Sequence, residues 1–123
     1  MSQVIVSPQP PTYPIIELQD PEGPYLEKIK PIVEKEIENL SPLFSQAYID
    51  STSFERVEKL TEFLRRITTI FQFRQFIAEK ALSSMVEQHP DKKRTSLRLK
   101  DIKRGLTFLQ QSFIATLNLY KKK

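Results

Sequence analysis

The stretch "TSFERVEKLTEFLRRITTIFQFRQFIAEKALSSMVEQ", residues 52–88, decides the fold. Thr52 is followed three residues later by Glu55, the spacing of a capping box, so a helix is expected to open here. A helix turns about 100° per residue. With Phe71 set at zero, Leu60, Leu64, Ile67, Ala78, Leu82 and Met85 fall within about 40° of it. That is one continuous apolar stripe, the mark of a helix laid against a core. His89-Pro90 then stops it, because a residue before proline disfavours the helical backbone.

The same stretch carries a second feature. On that wheel Phe73 lies at about 200°, Phe76 at about 140° and Ile77 at about 240°, on the side away from the stripe. Burying one such side chain is worth roughly 1.5–3 kcal/mol, so a patch of three calls for a cover. Two arrangements accommodate it: a helix covered on two sides, or a break near Gln72 that gives two shorter helices. Phe73, Phe76 and Ile77 are therefore the expected protein interface, with internal burial as the competing reading.

Working outward, "PYLEKIKPIVEKEIENL" (24–40) reads as a helix with a kink or fresh start at Pro31. "SPLFSQAYID" (41–50) reads as a short helix capped by Ser41. "DKKRTS" (91–96) reads as a loop. A last helix is expected from about Leu97 to Lys121, its apolar positions 99, 102, 106, 109, 113 and 120 keeping heptad-like spacing with Leu117 near the missing position. Gly105 lies inside it, at a cost of roughly 1 kcal/mol relative to alanine, and is suited to a close helix crossing. Upstream, six of the nine prolines occupy positions 8, 10, 11, 14, 21 and 24. Residues 1–23 thus read as an extended or disordered proline-rich arm, with Ile15 and Ile16 in an apolar island suited to docking on a partner. The expected architecture is all-α: a small bundle of about four helices over residues 24–123, preceded by that arm.

Composition limits function. The 123 residues contain no cysteine and one histidine, which excludes thiolate chemistry and cysteine-based zinc sites. Absence of cysteine fits a reducing compartment, so an intracellular protein, cytoplasmic or nuclear, is expected. No run approaches the roughly 18 apolar residues of a membrane span, and the N-terminus lacks the basic region of a secretory signal. His89 sits at a helix end, where a cap or loop role is expected. Glu34, Glu36 and Glu38 are spaced around their helix and read as solvated. Glu55, Glu58 and Glu62 share a face, with Lys59 and Arg66 as surface partners. Two glycines are too few for a phosphate-binding loop. No catalytic residue, metal or cofactor is expected.

Charge is divided unevenly. Residues 1–62 hold 11 acidic and 5 basic side chains, residues 63–123 hold 4 and 14. The densest run is "DKKRTSLRLKDIKR" (91–104), where Lys92, Lys93, Arg94, Arg98, Lys100, Lys103 and Arg104 are the candidate contacts for phosphate, nucleic acid or an acidic protein surface. The order of helices ending in "TSLRLKDIKRGL" resembles the end of a histone fold over about residues 53–110, with Thr95 and Ser96 in the loop and Asp101-Ile102 in the last helix. The central and last stretches are longer than that pattern. The resemblance implies obligate pairing and DNA contact. The residues themselves point first to a non-enzymatic helical interaction or assembly subunit, self-associating or bound to another protein. Nucleic-acid binding through residues 92–104 is the alternative.

Overall fold

A computed structural model describes residues 11–15 and 25–121. Its described residues form three helices and no strand: α1 (Tyr25–Phe44), α2 (Ser51–Ser84) and α3 (Lys92–Lys121). The protein is all-α, with three helices among the described residues where about four were expected. The segment 41–50 accounts for the difference. Ser41–Phe44 closes α1 instead of starting a new helix. Ser45 then donates its N–H to the Pro42 carbonyl (3.3 Å) and its hydroxyl to the Ser41 carbonyl (3.1 Å), satisfying groups that a helix end leaves open.

α1 also runs unbroken through Pro31, against expectation. An internal proline removes one hydrogen bond and costs about 3 kcal/mol. The stripe Ile29, Val33, Glu36, Leu40 and Phe44, buried on both sides of the proline, offsets that cost. α2 is one continuous helix with no break at Gln72. Its cap is Asp50, whose carboxylate accepts the Ser53 N–H at 2.8 Å, so Thr52 lies inside the first turn and no box forms at Thr52. The helix ends at Ser84, a turn earlier than expected, and Met85 returns to extended geometry. α3 starts at Lys92, so most of the expected basic loop is helical. Thr95 and Ser96, which the histone-fold resemblance puts in a loop, sit in its first two turns.

The chain runs up, down and up. Phe44 at the end of α1 meets Phe54 near the start of α2 and Tyr120 near the end of α3, each edge-on at 5.5 Å between ring centroids. α1 therefore lies parallel to α3 and antiparallel to α2. Its first turns face Arg104 and Thr107, so α1 begins level with the middle of α3. The α2–α3 hairpin continues past that level for about 13 residues of α2, or about 20 Å.

The core-facing seam of α3 differs from the expected heptad. The buried positions are Thr95, Ile102, Leu109 and Thr116, interleaved with Gly105, Ser112 and Leu119. Leu99, Leu106 and Phe113 flank this seam half-buried, and Leu117 and Tyr120 are exposed. Small residues occupy the line of closest approach and large ones sit beside it. The hydroxyls are satisfied within the helix: Ser112 donates to the Phe108 carbonyl (2.8 Å) and Thr116 to the Ser112 carbonyl (2.7 Å).

A charged pair is also fully internal. Glu36 and Arg56 are 1% and 2% exposed. Arg56 Nε donates to Glu36 Oε2 at 3.0 Å, and Nη2 bonds the other carboxylate oxygen. Glu36 was expected in solvent; it instead occupies the slot between Val33 and Leu40 on the buried stripe of α1. A buried carboxylate is tolerable only with such bidentate pairing.

Candidate functional site

Because Phe71 and its stripe face the core, geometry forces Phe73, Phe76 and Ile77 outward. They are 47%, 56% and 50% exposed. Helix periodicity places them on one patch of α2, two to six residues beyond the level of Phe71, with Thr69 and Lys80 also on that face. Lys80 Nζ lies 5.2 Å from the centroid of the Phe76 ring, a cation–π approach that leaves the ammonium at the patch edge. Among the described residues these side chains are not part of the core. Ile15, also expected at the interface, is 81% exposed. It belongs to a separate place: Tyr13 anchors its segment on Phe63, about 15 Å along α2 from Phe73. Ile16 lies outside the described residues.

The basic residues divide by direction. α3 periodicity puts Lys92, Lys93, Lys100, Lys103 and Arg104 within an arc of about 120° facing away from the core. Arg94 and Arg98 project from the side turned toward α2, and Arg98 is half-buried. Lys92 bonds Glu87 Oε2 at 2.7 Å, which holds the Glu87 carboxyl below the usual carboxylate range. Arg104 approaches Asp101 at 3.8 Å. Lys93, Lys100 and Lys103 are exposed. Five of the seven cations thus share one surface, on the α3 side of the hairpin, while the aromatic patch occupies the α2 side.

Two features were not anticipated. The first is Tyr13, whose ring stacks on Phe63 at 4.4 Å and 16°. Its hydroxyl is buried with no hydrogen-bond partner among the described residues. Burial, and then the Glu36 carboxylate, push its phenol well above the ordinary value, against the opposing pull of Arg56. No short-range signal in "PPTYP" marks this contact. The second is a shallow α1–α3 groove with Ile37, Phe108 and Ala115 on its floor and Glu34 and Glu38 on its rim.

His89 is a turn residue: its Nδ1 accepts the Asp91 N–H at 3.1 Å and its carbonyl the Lys92 N–H at 3.1 Å. No group of three metal-ligating side chains occurs among the described residues. No described helix is long and apolar enough to cross a membrane. Comparison with protein-family models, curated proteins and solved structures found no match.

Proposed function

We propose that the protein is a non-enzymatic helical interaction or assembly subunit that engages its partner through the outward face of α2. The observation that carries this reading is the contiguity of Phe73, Phe76 and Ile77, each about half exposed on one helix face. Contiguous exposed apolar side chains rimmed by polar groups are the kind of surface a partner covers. The lack of cysteine suits an intracellular setting. The test is Phe76→Glu in the full chain, read by sedimentation and far-UV circular dichroism. Loss of association with the helical signal intact is the expected result. Unchanged association refutes the reading.

Nucleic-acid binding is the second reading, and the shared arc of Lys92, Lys93, Lys100, Lys103 and Arg104 favours it. Affinity for generic DNA and RNA, titrated against salt, tests it. A slope of about 0.9 per neutralised phosphate on duplex DNA, reduced in Lys100→Glu/Lys103→Glu, supports it. Weak binding insensitive to those changes rejects it.

A further inference from the structure

The outward face of α2 carries an ordered charge pattern as well as the aromatic patch. Glu55, Glu58 and Glu62 occupy its first half, with Lys59, Arg65 and Arg66 to either side of their line, and Lys80 its far end. Glu62 and Lys80 are separated by 18 residues, which is about five full turns, so they lie on the same line of the helix surface. The midpoint of that line is at the level of residue 71. Phe73 lies just beyond the midpoint, and Phe76 lies between Phe73 and Lys80.

Resting on the patch being an interface, we propose that its partner is a second copy of this chain, packed antiparallel across α2 with the two-fold axis level with Phe71. A two-fold interface must be self-complementary. In this register the Lys80 ammonium faces the Glu62 carboxylate of the second copy, and the reciprocal pair forms on the other side of the axis. The two Phe73 rings are offset by about 6 Å along the helices, within range of an aromatic pair. On its flank of the interface Phe76 comes within one residue of the level of Arg65 of the second copy, in reach of a cation–π contact, and on the other flank Ile77 comes within one residue of the level of Arg66 and its aliphatic stem. A parallel pairing would instead set Lys80 against Lys80 and Glu62 against Glu62, which like charges disfavour. The charge order therefore selects both the occupant and its direction.

Charge exchange tests the pairing. Glu62 and Lys80 are exposed, so reversing either leaves the core untouched. By sedimentation of the full chain over a concentration series, the unmodified protein is expected to dimerise. Lys80→Glu and Glu62→Lys are each expected to weaken the dimer about tenfold or more, and the double variant to recover most of that loss. A protein monomeric up to about 100 μM overturns the proposal, as does a double variant no better than the singles. A dimer indifferent to both reversals but lost in folded Phe76→Glu overturns this register while sustaining the patch as an interface. A dimer indifferent to all three overturns both.

Discussion

Replacing Gly105 by alanine should destabilise the protein, although alanine is the better helix former. A Cβ built on Gly105 falls within 2.6 Å of Phe71 Cδ2, closer still to Cε2, and 3.3 Å from Cζ. Carbon atoms pack comfortably at about 3.5–4.0 Å, so the overlap with the ring edge is about 1 Å or more. The ring cannot yield freely, because Phe71 is 3% exposed and part of the core cluster. Overpacking of this kind typically costs about 1–3 kcal/mol, and here the upper part of that range applies. The helix-propensity gain returns about 1 kcal/mol. The expected net loss is about 1–2 kcal/mol, or a fall in Tm of about 4 °C or more for a domain of this size. Thermal and urea denaturation by circular dichroism measure it. In a Phe71→Leu background the clash is relieved, so Gly105→Ala should there become neutral or stabilising. If Gly105→Ala raises stability by the full propensity gain in the parent protein, the close α2–α3 approach is wrong.

Arg56→Met should cost about 3–5 kcal/mol, since it strands the Glu36 carboxylate in the core, and adding Glu36→Leu should recover much of the loss; urea midpoints of the singles and the double decide this. Tyr13→Phe deletes a buried hydroxyl that has no partner among the described residues, so stability should rise by about 1 kcal/mol, whereas Tyr13→Ala should lower it by removing the stack on Phe63. Both raised phenols predict an alkaline limit. The neutral forms of Tyr13 and Tyr120 are favoured in the folded protein, Tyr120 by burial and then by Glu58. That contribution is complete below the unfolded tyrosine value of about 10 and is lost as pH rises through the folded values. Denaturation midpoints should therefore fall above about pH 10, and less so in Tyr13→Phe/Tyr120→Phe.

Local signals made α2 legible. Its stripe from Leu60 to Ala78 is long and regular, and the side opposite that stripe is where Phe73, Phe76 and Ile77 are found exposed. What failed depended on neighbours. The seam of α3 was misplaced because apolarity ranks leucine and phenylalanine above glycine and serine, whereas a close crossing with α2 puts Gly105 and Ser112 at the centre. Glu36 looked solvated among three alternating glutamates. Only its position between Val33 and Leu40, together with Arg56 on the inward face of α2, hinted at a buried pair. Pro31 and Pro42 read as breaks because the packing that offsets their cost lies on other helices. Residues 91–96 read as a loop, but the turn at His89-Pro90 already supplies the reversal and leaves Lys92 onward free to be helical.

The shortness of α1 has a consequence for how the protein opens. Beyond the level of Arg104 the hairpin buries only small side chains among the described residues, Ala78 and Thr95 on facing helices, with Ile102 and Phe71 at its base. Backbone hydrogen bonds there close within each helix, but little apolar contact protects them. Amides near residues 75–84 and 92–100 should exchange with solvent through a partial opening, at a lower free energy than those near Leu60 and Leu64, which need the whole bundle to come apart. Both candidate surfaces lie on or next to this looser end. A genuine partner at either one should therefore announce itself as slowed exchange in the hairpin tip, with the amides around Leu60 barely changed.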